Sequence, residues 1–209
     1  FEVSTDGRLL LYGVDTSGDE RYTLRVRDLE TGATLPDVIE GTFAGASLSP
    51  DGRFVVYSTV DDAWRPDKVW LHELGTSVAD DALLFHESDD RFWVGAGFTR
   101  SDRYLVIGVG SSITSEEWLL PADDLRGEPR VIWPRREGVE YDSDHAVVDG
   151  EDVLYILHND QAVDFELVRV SASDPQGARE VVVPHRSGRR LLGLSTFRDW
   201  AVLAYRREG

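Results

Sequence analysis

One string, Ser49-Pro50-Asp51-Gly52-Arg53-Phe54-Val55-Val56-Tyr57, constrains this chain more than any other feature, because it returns in degraded form at near-constant intervals. Ser4-Thr5-Asp6-Gly7-Arg8-Leu9-Leu10-Leu11-Tyr12 precedes it, and Thr99-Arg100-Ser101-Asp102-Arg103-Tyr104-Leu105-Val106-Ile107 follows it. Two weaker copies come later, Asp149-Gly150-Glu151-Asp152-Val153-Leu154-Tyr155-Ile156 and Phe197-Arg198-Asp199-Trp200-Ala201-Val202-Leu203. Each is a tight polar turn leading into an apolar run rich in β-branched and aromatic residues, the pattern of a turn that opens a strand. In the sharpest copy Pro50 pre-sets φ, Asp51 can bond its own backbone, and Gly52 accepts a positive φ without a Cβ clash.

Ser49 follows Ser4 by 45 positions, Thr99 follows Ser49 by 50, and Tyr155 follows Tyr57 by 98, close to two further steps. A period of roughly 40–50 residues with four strands per unit is the signature of a β-propeller blade. The expected fold is therefore all-β, a partial β-propeller of about four and a half four-stranded blades in one continuous domain. The repeat places the blades at 1–40, 41–90, 91–138 and 139–188, with an incomplete fifth at 189–209. Small residues recur on the inner strands: Gly45 and Ala46, then Gly95, Ala96 and Gly97, then Gly193. Crowding near a propeller axis is the expected reason for them. An array cut within a blade exposes unpaired strand edges, so self-association through those edges is a further expectation.

Composition narrows the function. Apolar residues make up 41% and charged residues 29%, which fits a folded soluble domain and excludes a largely disordered one. No apolar run approaches the roughly 18 residues of a membrane span, and the first residues lack the pattern of a signal peptide. The chain has no cysteine, which removes thiolate metal sites and a cysteine nucleophile and is compatible with a cytoplasmic location. A formal charge of −17 repels nucleic acid and anionic membranes and attracts cationic partners.

Particular strings go beyond the fold. Asp67-Lys68-Val69-Trp70-Leu71-His72-Glu73-Leu74-Gly75-Thr76, Ser115-Glu116-Glu117-Trp118-Leu119-Leu120, Pro134-Arg135-Arg136-Glu137-Gly138-Val139-Glu140-Tyr141, Asp144-His145 and Leu192-Gly193-Leu194-Ser195-Thr196-Phe197-Arg198-Asp199-Trp200, with Arg206-Arg207 after it, occur in that order. Collinearly, over nearly the whole chain, they resemble the oligopeptidase B (protease II) branch of the prolyl oligopeptidase family of serine peptidases. The resemblance implies a parent with a seven-bladed propeller and a C-terminal α/β-hydrolase domain carrying a serine, aspartate and histidine triad. It also implies cleavage of short peptides after arginine or lysine. This chain matches the first four blades and part of the fifth.

No catalytic, cofactor or metal residue is expected here. A nucleophile elbow needs Gly-x-Ser-x-Gly at a strand-to-helix turn, and the nearest string, Gly45-Ala46-Ser47-Leu48-Ser49, lacks the second glycine and lies in a strand pattern. The five histidines form no i, i+4 pair, and the acidic loop Asp15-Thr16-Ser17-Gly18-Asp19-Glu20 lacks the alternating ligand set of a calcium loop. The carboxylate pairs Asp61-Asp62, Asp80-Asp81, Glu116-Glu117 and Asp123-Asp124 are adjacent residues, which on a strand point to opposite faces and cannot bracket a glycosidic bond. Two contact candidates remain. Trp64, in the polar loop Asp61-Asp62-Ala63-Trp64-Arg65-Pro66, is expected to be an exposed domain-docking residue. Asp142, Asp144 and His145, at the start of an inner strand, are expected to face the tunnel or the face opposite the hydrolase domain, or else to form a hydrogen-bonded turn holding blade three to blade four. The functional expectation is a non-catalytic propeller that gates the access of short basic peptides to a hydrolase domain; the alternative is a free-standing protein- or peptide-binding scaffold.

Overall fold

The computed structural model describes residues 1–207 and is built almost entirely of antiparallel strands. A seven-stranded sheet comes first, formed by β1 (Glu2–Val3), β2 (Leu9–Val14), β3 (Tyr22–Asp28), β4 (Thr34–Leu48), β5 (Phe54–Val60), β6 (Pro66–Glu73) and β7 (Ala82–His86), paired in chain order. Next comes a sheet of β8 (Trp93–Phe98), β9 (Tyr104–Gly110), β10 (Ser115–Pro121) and β11 (Arg130–Val131). A third holds β12 (Tyr141–Val148), β13 (Glu151–His158), β14 (Glu166–Ser171) and β15 (Glu180–Val183), and the last pairs β16 (Arg189–Thr196) with β17 (Ala201–Arg207). This is the all-β architecture of a partial propeller.

The seven-stranded sheet arises because β4 is one extended run of 15 residues that crosses the expected blade boundary at 40–41. Its first half pairs with β3 and its second half with β5, with irregular register on both sides. Gly41 (φ +70°) and Gly45 (φ +88°) absorb the bend between the halves in backbone conformations that disfavour a side chain. Gly45 is therefore conformational in origin. Crowding does not explain the other inner-strand glycines either: a Cβ at Gly95 or Gly193 meets nothing within 4 Å, and at Gly97 only Ser47 Oγ at 4.0 Å.

The repeated turn is a specific hydrogen-bonded device. The Ser49 hydroxyl donates to Asp51 Oδ1 at 2.6 Å and accepts from Phe54 N at 2.9 Å, while Gly52 N donates back to Ser49 O at 2.8 Å. Ser4 repeats the arrangement with Asp6 and Leu9. At Thr99 the glycine position is taken by Asp102, which adopts φ +59° itself. The fourth copy is built differently. Asp149 and Gly150 both have positive φ and join Val148 directly to Glu151, a two-residue hairpin of the type I′ class.

Apolar layers alternate with the sheets. Strand β5 is buried on both faces: Val55 and Tyr57 join Leu11, Leu24 and Ile39, while Phe54 and Val56 join Leu105, Ile107 and Val109 of the second sheet. Leu119, Trp133 and Tyr141 unite the second and third sheets with Leu154 and Ile156, and Leu157 and Leu167 continue to Leu191. Because successive strand side chains point to opposite faces, one strand feeds two cores, and the sheets stack like radial blades. Not every aromatic joins these layers: Trp93 and Trp200 are 53% and 58% exposed.

Candidate functional site

An antiparallel four-strand unit fixes where its connections lie. First-to-second turns (4–8, 49–53, 99–103, 149–150 and 197–200) gather on one face, and second-to-third loops (15–21, 61–65, 111–114 and 159–165) on the other. The first strands of neighbouring sheets approach one another, β4 beside β8 and β12 beside β16. Together they form the inner wall of the array.

In that wall lies a cavity of about 530 Å³ lined by Gly95, Gly97, Gly108, Glu117, Asp142 and Asp144, among others. Its shape follows from register. On β9, Gly108 pairs with Gly95 on one side and Glu117 on the other, so that row of the sheet has no side chain between the inner edge and the carboxyl. Glu117 is buried, and Ser143 Oγ donates to its Oε2 at 2.5 Å across the junction between sheets. Burial, reinforced by the Asp142 charge, raises the Glu117 carboxyl above its ordinary range; burial and then Asp144 raise Asp142 likewise. The pair holds on to a proton chiefly because burial penalises the charged form, with the repulsion of a neighbouring carboxylate second.

The structure brings Asp142, Asp144 and His145 together within β12 and keeps Trp64 apart in the loop between β5 and β6. The three do not form a turn. Asp142 and Asp144 line the cavity, and Asp144 Oδ2 also accepts from Thr196 N and Thr196 Oγ1, both at 2.8 Å, tying β12 to β16. The His145 side chain is fully buried, with Nδ1 2.7 Å from Ser101 Oγ and Nε2 3.1 Å from Asp152 Oδ1. Burial lowers its basicity, and one neutral tautomer satisfies both contacts: Nε2–H donates to Asp152 and the Ser101 hydroxyl donates to Nδ1.

Serine, histidine and aspartate in a line invite comparison with a hydrolase triad, yet this arrangement is a structural tie. The ring is reversed, since a triad places its aspartate on Nδ1 and its serine on Nε2. An imidazole sealed from solvent also cannot hand a proton to a substrate. What it does is pin the turn after β8 to β12 and β13. Sequence reading missed Glu117, Ser101 and Asp152 because their partners lie 26, 44 and 7 residues away on other strands.

Trp64 is half-buried rather than exposed. Its backbone has φ +67°, and the Arg21 guanidinium lies over the indole at 4.2 Å. Its neighbour Arg65 is buried and donates through Nη1 to the carbonyls of Glu87, Asp89 and Phe92 at 3.2, 3.0 and 2.9 Å, shaping the passage from β7 to β8. Among the described residues, no three histidine, aspartate or glutamate side chains gather in a way that holds a metal ion.

Comparison with known proteins adds what geometry alone does not. Residues 1–209 match the family model described as prolyl oligopeptidase, N-terminal beta-propeller domain. Protease 2 of Moraxella lacunata is 32% identical over 99% of this chain and 30% of its own length, and dipeptidyl aminopeptidase BI of Pseudoxanthomonas mexicana is 34% identical over 99% and 28%. Among solved structures, oligopeptidase B of Trypanosoma brucei with covalently bound antipain, in a closed form, superposes with a TM-score of 0.87 at 32% identity over 99% of this chain and 28% of that one. Oligopeptidase B of Leishmania major gives 0.89 at 28% identity, covering all of this chain and 29% of that one. The chain thus spans about three tenths of the length of the relatives it matches.

Proposed function

Because the chain belongs to the prolyl oligopeptidase family, as its N-terminal β-propeller domain, we propose that it is the access-controlling portion of an oligopeptidase B-like serine peptidase. It holds no catalytic group of its own and admits short basic peptides to a C-terminal hydrolase domain. The collinear match along all 209 residues carries this reading. Substrate class does not follow from identity alone, since relatives of nearly equal identity are named as a protease and as a dipeptidyl aminopeptidase.

Topology supports a particular orientation. Four antiparallel strands return the chain to the face from which it set out, so a domain joined after a whole number of blades meets the face bearing loops 15–21, 61–65, 111–114 and 159–165. Trp64 belongs to that face, and its role in the proposal is contact with the hydrolase. The charge of −17 supports the preference for cationic peptides, because an acidic mouth raises their local concentration at low ionic strength.

Asp62, Asp90 and Glu137 are exposed on loops of this face. In a full-length enzyme, Asp62→Asn, Asp90→Asn and Glu137→Gln together are expected to lower kcat/KM for an arginyl peptide by about three- to tenfold at low salt, with the deficit shrinking as salt is added. Unchanged kcat/KM and unchanged salt dependence would overturn the steering role.

A further inference from the structure

A second cavity, of about 440 Å³, opens on the face of the repeated turns, away from the loops assigned to the hydrolase. Its wall is formed by Arg100, Ser101, Ala146, Val147, Phe197 and Arg198, with His145 and Thr196 behind. The volume falls within the roughly 300–1,000 Å³ of small-ligand pockets.

Its charge runs against that of the molecule. In a chain with 39 acidic and 22 basic side chains, this one cavity is lined by two arginines and by no carboxylate. The Arg100 guanidinium lies 4.6 Å from the centroid of the Phe197 ring, and that ring stacks on Trp200 at 4.0 Å and 19°. Among the described residues Arg100 has no carboxylate within 4.0 Å and no hydrogen-bond partner, and Arg198, whose side chain is 95% exposed, has one contact, from Nε to Asp199 Oδ1 at 4.0 Å. The ring contact positions one cation without engaging its N–H donors, which lowers the entropy lost when a planar anion arrives. Beside the cations, Ala146, Val147 and Phe197 give the cavity an apolar wall next to the polar Ser101, His145 and Thr196, and Val147 is 44% exposed.

We propose that this cavity binds the C-terminal end of a peptide, the terminal carboxylate engaging Arg100 and Arg198 and an apolar last side chain packing against Val147 and the Phe197 ring. A guanidinium presents parallel N–H donors that match a carboxylate. The neighbouring hydrophobic wall then selects a carboxylate carried on an apolar body over a small hydrated anion. The site does not depend on the access role proposed above.

The test is calorimetric titration of this chain with three probes: N-acetyl-Ala-Phe with a free carboxylate, the same peptide as its C-terminal amide, and an amidated N-acetyl-Asp-Phe. The free acid is expected to bind at least about tenfold more tightly than either amide. Arg100→Gln and Arg198→Gln, each checked for an unchanged near-ultraviolet circular dichroism spectrum, are each expected to weaken the acid by about fivefold or more. Equal binding of acid and amide overturns the proposal, as do preference for the aspartyl amide, full affinity in both arginine variants, or no heat with the free acid.

Discussion

At the scale of single residues, the inner wall is governed by what burial does to acids and imidazoles. Glu117 lies behind two glycines in a cavity of about 530 Å³ and is held by Ser143. Its carboxyl is raised above 4.5 by burial first and by Asp142 second. The folded state thus keeps a proton that the unfolded chain has already released, so this group's contribution is fully present below pH 4.5 and is lost as pH climbs through the raised value. Glu117→Gln retains an acceptor for Ser143 and removes the titration. Its urea midpoint is expected to fall less than that of the parent between about pH 5 and about pH 9. Equal slopes would mean that the carboxyl is ionised in the fold. His145 and His158 act in the opposite sense: burial lowers both from 6.5, so their contribution is present above that pH and is lost as pH falls below it. Neither Glu117's enclosure nor His145's two partners can be read from residue type, because each is made by strands distant in the chain.

At the scale of elements, most strands are legible because apolar alternation and turn chemistry are local. The apolar runs after the repeated turns at Ser4, Ser49, Thr99 and Asp149 form β2, β5, β9 and β13. Reading failed where backbone geometry, not side-chain pattern, decided the outcome. The bend within β4 rests on Gly41 and Gly45, and a 3-10 turn at Val78–Asp80, capped by the Ser77 hydroxyl, interrupts a segment with no periodicity to announce it. A pair of substitutions separates the conformational and crowding accounts of the inner-strand glycines. Gly45→Ala forces a side chain into φ +88° and is expected to cost about 1–2 kcal/mol. Gly95→Ala enters open space at ordinary φ and is expected to change stability by less than about 0.5 kcal/mol in either direction. Chemical denaturation of the two variants decides it, and a larger loss at Gly95 than at Gly45 would restore crowding as the cause.

At the scale of the whole molecule, the alternation of sheets and apolar layers makes stability a chain of neighbour interactions. Ile107 belongs to the layer between the first and second sheets, and Ile156 to the layer between the second and third. Ile107→Val and Ile156→Val are each expected to cost about 0.5–1.5 kcal/mol and to add within about 0.5 kcal/mol. Val69→Ala shares the Ile107 layer, so its combination with Ile107→Val is expected to depart from additivity by more than that margin. Strong coupling between Ile107 and Ile156 would show instead that the sheets form one indivisible core.

The repeat by itself determined that this chain forms radial antiparallel sheets, and ordered strings such as 67–76 and 134–141 placed it among oligopeptidase B-like propellers. Both are properties of neighbours along the backbone, where turn residues and period-two burial act over a few positions. Only the tertiary structure decided that Glu117 is sealed beside Asp142, that His145 is a tie and not a base, and that Arg100 and Arg198 share a cavity. Each of those depends on groups brought together from separate blades, and the protonation and charge of a site are set by which groups face one another across a layer, irrespective of their order in the chain.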